Sequence, residues 1–139
     1  MAAALVGLFG VAGALLRFGV DSWFAHHSSI RTAGSVGAAG PASAPGQRLH
    51  WPWATLLVNV AGCFIIGVSH AMTGRLGLAP EWQTALATGL AGGLTTFSSW
   101  TTATVRLLTE ERFGAAVLNV AVNLVLGFGA AAAGIALAS

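Results

Sequence analysis

The chain has 139 residues, 55% of them hydrophobic and 7% charged, whereas soluble domains carry about 25% charged residues. So little charge cannot cover a small water-soluble domain, which exposes much of its area, so lipid is the fitting solvent, with room for several spans of about 20 residues each. The net charge of +2 comes from arginines against four acids, with no lysine and no basic run, which argues against a nucleic-acid partner.

The first apolar segment runs from about residue 2 to residue 24. It has no basic leader, and Arg17 falls deep inside it, so it reads as a permanent span and not as a cleaved signal peptide. Gly7, Gly10 and Gly13 give it a small-residue face on which helices can approach closely. Arg17 and Asp21 lie one helical turn apart and can pair. Residues 25–52 change character: histidines, serines, Gly34, Gly37, Gly40, Pro41, Pro45 and Gly46 mark a loop. His26, His27 and His50 read there as solvated side chains.

The second span is expected over residues 53–72, with Trp51, Trp53 and Trp82 suited to the membrane interface. It carries Asn59 in mid-span. A short connection through Gly74, Gly77 and Pro80 leads to the third span, residues 81–108. The fourth covers residues 113–137, with Asn119 and Asn123 on one face. Cys63, the single cysteine, lies in an apolar run and reads as packing; it can form no internal disulfide.

The expected fold is therefore an all-α membrane protein of one domain with four transmembrane helices. Both loops on one side of the membrane hold Arg31, Arg48, Arg106 and Arg112, and the other side holds Arg75. The positive-inside bias then places those loops in the cytoplasm and both termini outside.

The third span is unusual. Gly92-Gly93-Leu94-Thr95-Thr96-Phe97-Ser98-Ser99-Trp100 is too rich in glycine and hydroxyls for a plain apolar helix. Such a run breaks a helix and exposes backbone, which hydrocarbon tolerates only where protein, water or an ion satisfies it. The mid-membrane polar groups are mostly hydroxyls and amides, which can donate hydrogen bonds to an anion. Aromatic ring edges can add to them. No nucleophile or base constellation exists, so the chain does not read as an enzyme.

That nonapeptide resembles the signature of the Fluc/CrcB fluoride channel family, Gly-Gly-x-Thr-Thr-Phe-Ser-Thr-Phe. Residues 10–18, Gly-Val-Ala-Gly-Ala-Leu-Leu-Arg-Phe, are similar to its first-span motif. Residues 54–64, Ala-Thr-Leu-Leu-Val-Asn-Val-Ala-Gly-Cys-Phe, are similar to its second-span motif. The resemblance implies a passive fluoride channel in the plasma membrane, built as an antiparallel dual-topology dimer with the third helix broken mid-span. It implies an anion pathway along Asn59, Phe97, Ser98, Ser99 and Trp100, continued by Asn119 and Asn123. It further implies a structural sodium ion at the dimer axis on the backbone carbonyls of Gly92 and Thr95, and a vestibule position for Arg17.

Four departures stand out. Trp100 replaces the family's second Phe, Asn119 and Asn123 stand where Tyr and Ser are usual, Ala54 replaces a usual Gly, and the first loop is long. The arginine bias is also unlike a chain that inserts equally both ways, so the partner is either a second copy or a paralogous chain of fixed opposite orientation. Two other readings share the size and span number: a small dual-topology multidrug exporter, which needs an intramembrane carboxylate that Asp21 is poorly placed to supply, and a non-conducting assembly subunit.

Overall fold

Glycine ends one of these helices and proline opens the next, while the turn at residues 110–112 holds neither. The computed structural model describes residues 1–35, 51–77 and 79–139, and all regular structure among them is helical. Helix α1 spans Ala2–Ser35 and so continues well past the expected end at Phe24. Residues 25–33 contain neither glycine nor proline, so the helix outlives the membrane-spanning stretch, which ends at His27. His26 and His27 accordingly sit on a helix and not in a loop; Arg48, His50 and most of the expected loop lie outside the described residues.

Helix α2 spans Trp53–Leu76, one turn beyond the expected Met72. It ends where Gly77 takes a left-handed conformation (φ 58°) and donates its N–H to the Thr73 carbonyl, a geometry only glycine adopts at low cost. The third crossing is composite. Pro80 opens α3 (Pro80–Thr84), a π-helical stretch follows over Ala85–Ala91, and α4 is the single turn Gly92–Leu94. Thr95 and Thr96 are then extended, and the helix restarts as α5 (Phe97–Thr109). The expected break thus falls within the nonapeptide; the π-helical stretch before it was not anticipated. Helix α6 runs Phe113–Ala138. Three helices, α1 as far as His27, α2 and α6, are long and apolar enough to cross a membrane, and the bent third region makes the fourth crossing.

Burial runs opposite to that of a water-soluble protein. Phe18, Val125 and Phe128 are 70%, 69% and 76% exposed, as suits side chains facing acyl chains. Among the described residues the interior holds Leu56, Val58, Leu94 and Leu107 beside the polar Ser69, Thr96, Asn119 and Asn123. The closest helix contacts are made by glycine. A Cβ on Gly13 would strike the Leu90 carbonyl and the Leu94 N–H, and one on Gly93 would strike the Gly10 carbonyl, so α1 lies backbone to backbone on the π-helical stretch and α4. A Cβ on Gly67 would strike the Ala131 carbonyl, and one on Gly134 would meet the Val68 nitrogen at 2.9 Å, which seats α6 on α2. Gly7, expected on the same packing face, has no atom within 4 Å of its Cβ position: Val6 and Phe9 make the contact with Gly89 at this level, and Gly7 falls off the line of contact.

Candidate functional site at the break in the third span

Two consecutive extended residues cost a transmembrane helix several backbone hydrogen bonds, and each unsatisfied group in hydrocarbon is expensive. Side chains from two neighbouring helices replace them. The Thr96 N–H, which would otherwise bond the Gly92 carbonyl, donates to Asn59 Oδ1 at 2.8 Å. Asn59 Nδ2 donates back to the Thr96 carbonyl at 3.4 Å. One side-chain amide thus pairs with both main-chain groups of Thr96. From α1, Arg17 donates to the Thr95 carbonyl at 3.2 Å.

Glycine makes both approaches possible. Gly62 stands one turn beyond Asn59 on α2, and any Cβ there would collide with the Thr95 methyl. Gly13 stands one turn before Arg17 and lies against Leu94. Arg17 and Asp21, expected to pair, do not: no ion pair joins them among the described residues, because the break offers the guanidinium a closer acceptor.

The restart is capped by its own sequence. Thr96 is the N-cap of α5, its Oγ1 accepting from the Ser99 N–H at 3.2 Å as preferred cap residues do. The same oxygen lies 3.0 Å from Ser99 Oγ and 3.3 Å from Ser98 Oγ. Ser98, Ser99 and Phe97 are nevertheless exposed on the outer face of the chain, Phe97 at 72%. A groove of 290 Å³ along this face is lined by Ser98, Ser99, Thr102, Ala103 and Arg106.

Trp100 packs edge-on against Phe97, ring centroids 5.5 Å apart at 67°. Its indole N–H reaches the Asn119 carbonyl at 3.4 Å. The extra donor that distinguishes tryptophan from phenylalanine is therefore turned into the protein, towards α6. Asn119 and Asn123 are buried and hydrogen-bonded: Asn123 Oδ1 to Asn59 Nδ2 at 3.4 Å, Asn123 Nδ2 to Asn119 Oδ1 at 3.2 Å, and Asn119 Nδ2 to Thr104 Oγ1 at 2.9 Å. The contact between Asn59 and Asn123 again follows from a glycine, since Gly127, one turn beyond Asn123, admits Cys63, one turn beyond Asn59.

The expected residues fall into two groups. Phe97, Ser98 and Ser99 form an outward face, with Gly92 also exposed on the other side of the break. Asn59, Asn119, Asn123 and the indole N–H form an inward layer behind it. Sequence reasoning counted Thr96 and Thr104 only among the mid-membrane hydroxyls and gave Gly62 no role at the site. A threonine immediately before a restarting helix is a readable capping signal; no comparable signal marks the other two.

The two half-helices present opposite charge to the break. The carbonyls at the C-terminal end of α4 carry partial negative charge, and the N–H groups at the start of α5 carry partial positive charge. Broken membrane helices use such ends to hold cations and anions, respectively.

Comparison with known proteins gives a concordant result. The family model for CrcB-like proteins, camphor resistance (CrcB), matches residues 4–135. A fluoride-specific ion channel, FluC, of Renibacterium salmoninarum is 46% identical over 134 residues, covering 96% of each chain. A protein of the same description from Escherichia coli strain K12 is 47% identical over 78 residues, 55% of this chain and 61% of that one.

Proposed function

The chain belongs to the CrcB family, and from that premise we propose that it is a fluoride-specific ion channel, a multi-pass membrane protein that lets fluoride leave the cell down its own gradient. It is a channel and not an enzyme. The observation that carries this reading is the break at Thr95 and Thr96, which exposes ring edge and hydroxyls at the start of α5. A small anion gives up water only where donors replace it, and a neutral, hydroxyl-rich surface can do so without trapping the ion as a buried cation would.

Fluoride would pass along Phe97, Ser98 and Ser99, with the Phe97 ring edge, the serine hydroxyls and an Asn59 N–H as donors. Trp100 holds the Phe97 ring from behind. Asn119 and Asn123 belong to the same polar track, one layer behind Asn59. Arg17 serves the vestibule side by its positive charge while bonding the Thr95 carbonyl.

A second subunit completes the path. Serine hydroxyls on an outer face at the middle of a span are costly against lipid, and a second copy in antiparallel orientation, or a paralogous chain of opposite fixed orientation, would cover them. A sodium ion would sit at the axis on the carbonyls of Gly92 and Thr95. The donor set fits, because Gly92 has lost its N–H partner to Asn59 and a half-helix C-terminus favours a cation. The Arg17 bond uses one of the two lone pairs on the Thr95 oxygen and leaves the other. Bound there, the ion would supply a fixed positive charge that ties the two breaks together.

Fluoride efflux from liposomes tests the site. Phe97→Ile removes the ring edge and Asn59→Asp sets an acceptor where a donor is needed. Each is expected to cut efflux by about tenfold or more, the equivalent of one charge-assisted hydrogen bond. Wild-type rates in both variants would remove these residues from the path.

A further inference from the structure

We propose that Thr102 and Arg106 form an anion-collecting site at the loop end of the α5 groove, which gathers fluoride from water and passes it to Ser99. Its ligand rests on the fluoride reading; the groove itself does not. Ser99, Thr102 and Arg106 follow one another at steps of three and four residues, so they share one helical face and rise about 10 Å from first to last. All three line the groove with Ser98 and Ala103, and no acid lines it. Thr102 and Arg106 are exposed. Arg106 stands in the last turn of α5, beside the connection that the arginine bias places in the cytoplasm. A leaving anion would enter the groove there.

Thr102 differs from the other threonines of α5 in its unused hydroxyl. Thr101 donates to the Phe97 and Ser98 carbonyls, Thr104 to the Trp100 carbonyl and Thr109 to the Arg106 carbonyl, all at 2.8–3.0 Å. Such bonds to the preceding turn are the ordinary outlet for a helical threonine. Thr102 makes none among the described residues, and the carbonyl one turn before it, that of Ser98, already accepts from Thr101. Ser99 is similarly placed. Its oxygen accepts from the Thr96 hydroxyl at 3.0 Å, which leaves its own proton for the groove. Two hydroxyl donors that the chain does not use therefore face the same groove, one turn apart.

Arg106 is uncommitted as well. Glu110, one turn on, is its local candidate for an ion pair. That carboxylate turns to Arg112 instead, at 3.7 Å, and no ion pair holds Arg106 among the described residues. A cation at the mouth of a cleft raises the local concentration of anions. Because this one is exposed to water, it does not trap them as a buried cation would. The groove thus offers charge at its wet end and neutral hydroxyls further in, so an anion is drawn in before it loses water. A lipid phosphate is the other anion that a guanidinium at a helix end meets. The hydroxyl ladder behind Arg106 favours a small ion that moves on over a headgroup that stays.

Fluoride efflux from liposomes is read at low fluoride and at two ionic strengths, about 0.01 M and about 1 M, set with impermeant potassium isethionate, where screening reaches about 30 Å and about 3 Å. Arg106→Gln is expected to lower efflux at least threefold at the low ionic strength and not at the high one, and Arg106→Lys to restore it. Thr102→Val is expected to lower efflux about tenfold at both, the loss of one hydrogen bond to an anion, and Thr102→Ser to restore it. Wild-type efflux in Thr102→Val, or an Arg106→Gln loss that ignores ionic strength, overturns the proposal. So does a loss seen in vesicles containing phosphatidylglycerol and absent in pure phosphatidylcholine, which would assign Arg106 to a headgroup. A second readout needs no flux. In a chain carrying Cys63→Ala, Thr102→Cys is modified by the anionic sulfonatoethyl and the cationic trimethylammonioethyl methanethiosulfonates. Adding Arg106→Gln is expected to lower the anionic-to-cationic rate ratio about tenfold; an unreactive cysteine or an unchanged ratio overturns the proposal. A wild-type chain without fluoride efflux overturns the fluoride reading, while the rate ratio still decides whether the groove collects anions.

Discussion

Thr96 holds the break with three of its own groups: its N–H and carbonyl are taken by Asn59, and its hydroxyl caps α5. Removing an N-cap hydroxyl costs about 1 kcal/mol. Thr96→Val is therefore expected to lower the melting temperature in detergent by several degrees, and Thr96→Ser to restore it. If Thr96→Val melts with the wild type, the cap contributes nothing. Asn59 was legible as a residue in need of a partner, because an amide in mid-span must find one. That the partner is the backbone of Thr96 was not legible, since it lies 37 positions away in sequence. The same holds for Arg17. Its nearest acidic neighbour on the helix, Asp21, was the obvious local partner, and the true acceptor is a carbonyl 78 positions away that exists only because the helix is broken.

At the scale of elements, glycine seams set the geometry that hydrogen bonds then exploit. An interhelical hydrogen bond in a membrane is worth about 0.6 kcal/mol on average, whereas forcing extra bulk into a packed contact costs typically 1–3 kcal/mol. The seams therefore fix where helices lie, and the amides fix what they present. Gly67→Val, whose new side chain meets the Ala131 carbonyl, is expected to destabilise by roughly 2 kcal/mol and to separate α2 from α6. Gly7→Ala, which meets nothing, is expected to melt at or above the wild-type temperature, by up to about 1 kcal/mol of helix propensity. Equal losses in the two variants would show that the seam is not where the contact lies. The four crossings and the break were legible from hydropathy and from one glycine-threonine run. The end of α1 was not, because polar residues mark where a chain leaves the bilayer and do not by themselves stop a helix.

For the whole molecule, the outward face of α5 is where the proposed second subunit would sit. Its polar lining, Ser98, Ser99, Thr102 and Arg106, belongs against protein or water. Cysteines introduced one at a time along this face, in a background lacking Cys63, are expected to cross-link two chains in membranes through residues around Thr102. Cross-linking confined to the α1 face would place the partner elsewhere. The arginine bias predicts a single dominant orientation, with the C-terminus outside; a reporter fused there that signals from the cytoplasm would refute it. Fixed orientation and an antiparallel dimer together require a paralogous partner, whereas two copies suffice if the bias is too weak to bind each chain to one orientation. Fluoride efflux from proteoliposomes decides the central claim most directly. Passive release of fluoride, with chloride retained and no dependence on an imposed proton gradient, is predicted for the chain alone or co-reconstituted with a paralogous chain. Release no faster than from empty liposomes in both preparations, or release that follows the proton gradient, would contradict it.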